Sequence, residues 1–189
     1  GLFECDVPLN TTFKDYRVYH QNGLLGFDPY SCWPTVGELD QYLFGKGVHY
    51  HVHEMMGGRL INHQDCAGAK FVVWAPSARR VSLLADFNHW DGRINPMRSL
   101  GDSGLWEIFI PSIGAGEKYK FEIKTQSGGI LVKADPYAYA CELRPATASE
   151  LASVSLFDWE DGAWIARREK MKSQAQPLNI YEVHLGSWR

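Results

Sequence analysis

One tryptophan of this sequence stands among residues that suit it for binding. Trp90 follows a strand-forming run, 81–87, and Asn88 lies two positions before it. An indole offers a flat apolar face that can stack on the C–H face of a sugar ring, while amide and ammonium groups can bond the hydroxyls. Lys120 can join them, because it alternates with apolar residues in 119–124 and so faces water. Trp90, Asn88 and Lys120 are the predicted binding residues; the alternative is that Trp90 packs under its own loop.

Other chemistry finds little support. The sequence contains no glycine-rich phosphate loop, nucleophile elbow or metal-ligand spacing. His49, His51 and His53 alternate in a run, 48–55, that we predict to be a strand, where three side chains span too far for one zinc ion. Four carboxylates are interpreted as surface charge rather than a glycosidase pair: Asp86, Asp91, Asp102 and Glu107. We predict no catalytic residue, metal or cofactor.

The composition is that of a globular protein. Of 189 residues 45% are hydrophobic, and 19 basic against 22 acidic side chains give a formal net charge of -3. Without a basic run or a membrane-length apolar run, we expect a monomer with no nucleic-acid and no membrane partner. Four scattered cysteines predict reduced, buried thiols in a cytoplasmic protein: Cys5, Cys32, Cys66 and Cys141.

Short strands with turns every eight to twelve residues predict an all-β sandwich in the middle of the chain. The runs 71–75 and 81–87 flank Pro76 and are predicted to form a β-hairpin with Trp90 at its mouth. Trp106 is predicted to face the core. Further strands are predicted over 105–110, 119–124 and 130–133.

Helices and a last strand are predicted outside the sandwich. Apolar residues at helical spacing indicate a short helix over 34–44, ended by Gly45, and 163–174 is predicted as a charged helix. Residues 179–185 form a strand-like run with no sequence after it that could pair with it. We therefore expect the chain to be cut at both ends.

An internal repeat links the start of the chain to its middle. Tyr16 recurs as Tyr119, and the same offset of 103 relates the segment 1–4 to 104–107. The triplet Asp-Pro-Tyr follows in both copies, at 28–30 and at 135–137. Only the second copy has strands before it, so residues 1–31 are predicted to be the back half of a second β-module.

In this order the motifs resemble the glycogen branching enzymes, in particular their carbohydrate-binding module of family forty-eight. The residues that carry the resemblance are Phe71-Val72-Val73-Trp74-Ala75-Pro76, Asp86-Phe87-Asn88-His89-Trp90-Asp91-Gly92, Gly104-Leu105-Trp106-Glu107, Tyr119-Lys120-Phe121 and Asp135-Pro136-Tyr137. Residues 180–189 look like the first strand of the α-amylase-type barrel that follows this module. Residues 1–31 are similar to the extra N-terminal sandwich of longer bacterial members.

The resemblance implies a transferase that cuts an α-1,4-glucan, such as glycogen or a starch-like polysaccharide, and joins the freed chain to a 6-hydroxyl. Its catalytic carboxylates lie on later barrel strands, so this chain alone is predicted to be inactive and to need its missing catalytic barrel. In glucan-binding relatives the positions of Trp90 and Lys120 contact sugar. Those relatives carry a second stacking tryptophan where this sequence has Gly129-Ile130-Leu131.

The predicted architecture is an immunoglobulin-like β-sandwich over 65–145, preceded by a partial second sandwich, 1–31, and a connector, 32–64. A linker with a short helix, 146–177, and the first strand of a truncated (β/α)8 barrel, 178–189, complete it. Two other functions stay open. The chain can belong to a free glucan-binding or regulatory module, or to the N-terminal part of a glycogen debranching hydrolase.

Overall fold

The computed structural model describes residues 4–11, 15–19, 25–154, 159–171, 177 and 179–188. The chain divides into two compact units, Gly1–Ser153 and Val154–Arg189. The first unit holds the sandwich and the segments before it. None of the helices in the described ranges has the length and apolar character of a membrane span.

The predicted β-sandwich is confirmed, because two antiparallel sheets form the body of the first unit. A small separate sheet pairs β1 (Val18–Tyr19) with β2 (Leu25–Gly26). One sandwich sheet consists of β3 (Gly57–His63), β4 (Cys66–Trp74), β7 (Leu105–Pro111) and β6 (Arg98–Ser99), in that spatial order. The other consists of β5 (Ala78–Ala85), β8 (Lys118–Thr125), β9 (Ile130–Lys133), β10 (Ala140–Cys141) and β11 (Ser149–Glu150). In this second sheet β8 is central, with β5 on one edge and both β9 and β11 on the other.

The space between the two sheets is filled by side chains at alternate strand positions. Tyr119 and Phe121 of β8 are fully buried, whereas Lys120 between them is only partly covered. Phe71 of β4 meets Tyr119 edge to face, with ring centroids 4.9 Å apart. Each large apolar side chain contributes about 2 kcal/mol on burial, so these rings hold the sheets together. Trp106 packs against the same core, as predicted.

The predicted hairpin of the runs 71–75 and 81–87 is wrong, because the two strands belong to different sheets. β4 pairs with β3 and β7, whereas β5 pairs with β8. The turn between them carries the chain across the sandwich, and the amide of Ala78 donates to the carbonyl of Ala75 at 3.0 Å. Val72 points away from the core and is still fully buried. A strand buried on both faces has a continuous apolar pattern that does not identify its partner.

Helices cover the outer face of the sheet that contains β4. Helix α1 (Glu38–Gly45) confirms the helix predicted over 34–44. Helix α2 (Val52–Met55) replaces the strand predicted over 48–55. Val52, Met55 and Met56 share a cluster with Val72. Val52 and Met55, three residues apart, lie on one face of the helix, and Met56 follows as its C-cap residue. Burial of these residues against the sheet favours helix over strand.

A buried ion pair ties the N-terminal segment to the sandwich. Glu107 of β7 is 1% exposed, and its carboxylate lies 2.8 Å from Nη1 of Arg98. The amide and hydroxyl of Thr35 donate to the same carboxylate at 3.2 and 3.0 Å. Arg98 also donates to the carbonyl of Cys32 at 2.9 Å. The interpretation of Glu107 as surface charge is therefore wrong: it is buried, and these partners offset the cost of burying its charge.

All four cysteines are free thiols, but only two are buried. Cys32 and Cys66 lie in one apolar cluster with Phe109, whereas Cys5 and Cys141 are exposed, contrary to the prediction for those two. Burial raises the pKa of the Cys32 thiol. The thiol therefore stays protonated and unreactive near neutral pH.

The second unit contains α3 (Gly162–Lys170), which confirms the helix predicted over 163–174 as far as Lys170. Met171 is not helical, and residues 172–174 lie outside the described residues. Residues 179–184 have no regular secondary structure, and a single 3-10 turn, Leu185–Ser187, follows them. A strand needs a neighbour for its backbone hydrogen bonds. The barrel strand over 178–189 therefore stays a prediction, as do the domain boundaries.

Candidate functional site

The candidate site is the loop that follows β5. A 3-10 turn, Asp86–Asn88, ends the strand, and His89 and Trp90 then adopt left-handed φ values of 55° and 59°. The amide of Trp90 donates to the carbonyl of Ala85 at 3.0 Å. Two successive left-handed residues reverse the chain, so Trp90 is held beside the end of β5.

Asn88 braces this loop from within. It is 2% exposed, and its side-chain oxygen accepts a hydrogen bond from the amide of Ala85 at 2.8 Å. Its side-chain nitrogen donates to the carbonyl of Leu83 and to Oδ1 of Asn95, both at 2.8 Å. These bonds occupy both donors of the amide. Asn88 therefore stabilises the loop from a buried position, and the prediction that it lies at the surface as a sugar-binding residue is wrong.

Trp90 lies at the surface of the loop. It is 39% exposed, so it does not pack fully beneath its own loop. Its indole Nε1 donates to Oδ1 of Asp86 at 2.9 Å. Because an indole N–H lies in the plane of the ring, this bond engages the ring edge and neither of its faces.

Lys120 lies near the same end of β5 on the neighbouring strand. It pairs in register with Leu84, one residue before Ala85, and the amide of Trp90 bonds the carbonyl of Ala85. The ammonium group of Lys120 donates to Oγ1 of Thr147 at 2.7 Å. The structure thus brings Trp90 and Lys120 to one end of the β5–β8 pair.

Two partners at this site were missed from the sequence. Asp86 precedes Trp90 by four residues, and a carboxylate at that spacing from an indole in a tight loop is a usable local signal. Thr147 lies 27 residues from Lys120. It has no local signal, since the pairing of β8 with β11 sets that contact.

The strand β9 contains the residues at which the resemblance would lead us to expect a second stacking tryptophan. Its residues Ile130, Leu131 and Val132 are 49%, 46% and 49% exposed. Val132 pairs in register with Glu122 of β8, and Ile130 with Lys124. This edge of the sheet therefore presents aliphatic side chains rather than an aromatic platform.

Two of the other ionisable groups singled out from the sequence, Asp91 and His49, have partners of their own. Arg93 hydrogen bonds to Asp91 lower the pKa of that carboxyl to about 2. Nε2 of His49 lies 3.0 Å from Oδ1 of Asp40. In the ranges that the structure describes, no group of three or more His, Cys, Asp or Glu side chains is arranged to hold a metal ion.

Known proteins are similar in sequence to the part of the chain that holds this loop. The family model of carbohydrate-binding module 48 (isoamylase N-terminal domain) matches residues 55–138, which include Trp90 and Lys120. Over all 189 residues the chain is 60% identical to the 1,4-alpha-glucan branching enzyme GlgB of Protochlamydia amoebophila, and 47% identical to that of Chlamydia pneumoniae. By sequence, the chain is similar over its whole length to the N-terminal part of GlgB branching enzymes, and it contains a carbohydrate-binding module 48 domain. It covers 26% of the length of both of these relatives, about a quarter.

Two solved structures are similar to part of this chain. The Klebsiella pneumoniae pullulanase complexed with maltotriose matches 52% of the chain and 9% of its own, at 25% identity and a TM-score of 0.43. The pullulanase from Bacillus acidopullulyticus matches 52% of the chain and 12% of its own, at 23% identity and a TM-score of 0.42. Likenesses of this extent carry no argument about activity.

Proposed function

We propose that this chain is part of a 1,4-α-glucan branching enzyme of glycogen biosynthesis. Such an enzyme cleaves an α-1,4-linked glucan and transfers the freed chain to a 6-hydroxyl, which creates an α-1,6 branch. The observation that carries the proposal is the 60% identity, over all 189 residues, to the Protochlamydia amoebophila branching enzyme. We also propose that the enzyme works as a monomer in the cytoplasm.

The chain alone is proposed to be inactive. Three of the four carboxylates named from the sequence have other roles: Asp86 bonds Trp90, Asp91 pairs with Arg93, and Glu107 is buried against Arg98. Cleavage with retention needs two carboxyl groups that face each other across the bond. We assign that chemistry to the catalytic barrel that the longer enzyme is expected to carry.

The part that this chain plays is to hold an α-glucan at the loop after β5. The exposed face of Trp90 offers a stacking surface for one glucose ring, and the ammonium of Lys120 offers a donor for a hydroxyl. With an aliphatic β9 in place of a second aromatic platform, we expect weak binding, with a Kd of about 1 mM, which corresponds to about 4 kcal/mol. Weak single contacts suit a polymer that offers many equivalent chain segments.

A binding or regulatory module without catalysis is the second candidate. The observation in its favour is that the family model covering residues 55–138 describes a carbohydrate-binding module and not an enzyme. Debranching is less well supported, because the curated relatives matched over the whole chain are branching enzymes.

The test is to express the complete gene that encodes this chain and to incubate the product with amylose. A branching enzyme lowers the absorbance of the amylose–iodine complex and yields α-1,6 linkages that isoamylase can cut. Chain 1–189, assayed in parallel, should leave the iodine absorbance unchanged. A product that binds amylose without forming α-1,6 linkages would support the binding-module candidate, and one that removes α-1,6 linkages from glycogen would support debranching.

A further inference from the structure

We propose that Asp86 is a second sugar contact beside Trp90, with one carboxylate oxygen holding the indole and the other accepting a hydrogen bond from a glucose hydroxyl. The inference rests on the proposed glucan binding at this loop. It adds a polar contact that neither the sequence motifs nor the exposed aromatic face indicates by itself.

The first part of the argument is how firmly Trp90 is oriented. Its backbone amide is bonded to the carbonyl of Ala85 at 3.0 Å, and its indole Nε1 to Oδ1 of Asp86 at 2.9 Å. Asn88, buried between these residues, fixes the loop from below. Trp90 is thus fixed by a hydrogen bond of its backbone amide and by a second one at the edge of its indole. A sugar that stacks on the indole therefore meets a ring that is already oriented.

The second part is the free oxygen of Asp86. The side chain is exposed, and within the described part of the chain no hydrogen bond reaches its Oδ2. Lys118, whose charge interacts with Asp86, is itself paired with Glu142 at 3.1 Å. Asp86 therefore keeps a charged acceptor in solvent at the edge of the indole.

The third part is the shape of a glucose unit. Its equatorial hydroxyls project from the ring perimeter, so a glucose stacked on the indole face directs some of them past the indole edge. The carboxylate of Asp86 lies at that edge because the indole N–H points to it. A hydroxyl that donates to a carboxylate forms a charge-assisted hydrogen bond, which is stronger than a neutral one.

Asp91 of the same loop provides a matched control. Both of its oxygens are engaged by Arg93, at distances from 2.6 to 3.1 Å. Substitution by alanine removes one negative charge from the loop in either case. Only the substitution of Asp86 removes a carboxylate oxygen that is available to a sugar hydroxyl.

The test is a titration of chain 1–189 with maltoheptaose, followed by NMR chemical shifts of the backbone amides of residues 86–92 and of the indole N–H groups, so that binding can also be measured where Trp90 is replaced. Asp86→Ala should weaken binding about tenfold, the loss expected for one hydrogen bond to a charged group. Asp91→Ala should bind like the wild type. Asp86→Asn, which keeps an oxygen acceptor without the charge, should lie between them.

A Trp90→Phe background separates a sugar contact from a positioning role. Phenylalanine keeps a stacking face but has no N–H for Asp86 to hold. If Asp86 bonds sugar, adding Asp86→Ala to Trp90→Phe weakens binding again by a similar factor. If Asp86 only orients the indole, the added substitution has no effect, and the proposal is overturned.

The outcomes also separate this inference from the proposed function. If Asp86→Ala binds maltoheptaose with the affinity of the wild type, the proposed sugar contact of Asp86 is overturned, while glucan binding at the loop still stands. No shift of any indole signal in the wild type would remove glucan binding at this loop and the inference with it. Thermal unfolding of each variant, measured beside the titration, shows that a lost affinity is not lost fold.

Discussion

The hydroxyl of Tyr119 donates a hydrogen bond of 2.6 Å to Oδ2 of Asp135 inside the sandwich. The amide of Gly58 donates to the same oxygen at 2.9 Å, and the amide of Tyr137 to Oδ1 at 2.8 Å. Tyr119 is fully buried and Asp135 is 7% exposed. The carboxylate therefore joins three separate segments, β3, β8 and the turn after β9, at one buried point.

The same geometry occurs a second time near the N-terminus. Tyr16 donates to Oδ2 of Asp28 at 3.2 Å, and the amide of Tyr30 donates to Oδ1 at 2.9 Å. In the internal repeat, Tyr16 corresponds to Tyr119 and Asp28 to Asp135. The repeat in the sequence is thus also a repeat of side-chain contacts.

The two tyrosine–aspartate pairs differ in burial, and their contributions to stability should differ accordingly. Tyr119→Phe removes a short bond to a buried carboxylate and should lower the free energy of unfolding by about 2 kcal/mol. Tyr16→Phe removes a longer, partly exposed bond and should cost less than about 1 kcal/mol. Urea unfolding followed by near-UV circular dichroism measures both. Equal losses would contradict the conclusion that the buried bond between Tyr119 and Asp135 stabilises the sandwich more than the bond between Tyr16 and Asp28.

The buried tyrosine also predicts a loss of stability at alkaline pH. Burial and then the Asp135 carboxylate raise the pKa of Tyr119 well above its ordinary 10.0. The folded protein holds this proton more tightly than the unfolded chain, so the stabilisation is complete below the unfolded pKa and is lost as pH rises beyond it. The free energy of unfolding should fall by about 1.4 kcal/mol per pH unit from this group above pH 10.

The control for this pH dependence is Tyr119→Phe, which should show a shallower slope above pH 10. Tyr30 adds a smaller loss of the same sign, because burial raises its pKa to about 12. Urea unfolding at several pH values between about 9 and 11 compares the two proteins. Parallel curves would show that Tyr119 does not titrate as its surroundings require.

The ion pair between Glu107 and Arg98 predicts a strong dependence of stability on one carboxylate. Glu107→Ala leaves Arg98 and Thr35 without their partner and should lower the free energy of unfolding by about 3 kcal/mol. Glu122 pairs with Arg80 at 2.6 Å in a more exposed position. Glu122→Ala is therefore the matched control, with an expected loss of less than about 1 kcal/mol. A Glu107→Ala protein as stable as this control would refute the structural role.

The position of Asn88 predicts a stability effect rather than a binding effect. Asn88→Ala leaves the amide of Ala85 and the carbonyl of Leu83 without partners and should cost about 2 kcal/mol. His89→Asn, one residue further along the exposed loop, keeps a residue type that accepts left-handed φ and should change stability little. Thermal unfolding compares the two. If Asn88→Ala keeps full stability but loses its affinity for glucan, Asn88 is a sugar-binding residue and the stabilising role is contradicted.

The strands were predictable where one face is wet. Lys118–Thr125 alternates apolar and charged residues, and β8 was predicted over 119–124 almost as found. By contrast β3, Gly57–His63, was not predicted. A Cβ on Gly58 would lie 2.6 Å from the hydroxyl of Tyr119, so the glycine that weakens the strand pattern is needed for close packing. The hydrophobic pattern of a sequence does not indicate that the backbone of a strand packs this closely against a side chain of another strand.

The site was predictable to the extent that it is local. The tight loop after β5 places Trp90 at the surface, and the alternation of β8 places Lys120 on its wet face. Asn88 has the residue type of a sugar contact. In the folded protein, however, its side-chain nitrogen donates to the carbonyl of Leu83 and to Oδ1 of Asn95, because the segment around Asn95 lies beside β5. That pairing depends on the tertiary fold, so composition and spacing alone cannot reveal it.

The most direct measurement is affinity electrophoresis of chain 1–189 through a gel that contains glycogen. The wild type should be retarded, and Trp90→Ala should migrate as it does without glycogen, because its stacking face is gone. Trp33→Ala is the control, since Trp33 is 72% exposed in the N-terminal segment and should leave the retardation unchanged. Equal retardation of the wild type and Trp90→Ala would contradict glucan binding at the loop after β5.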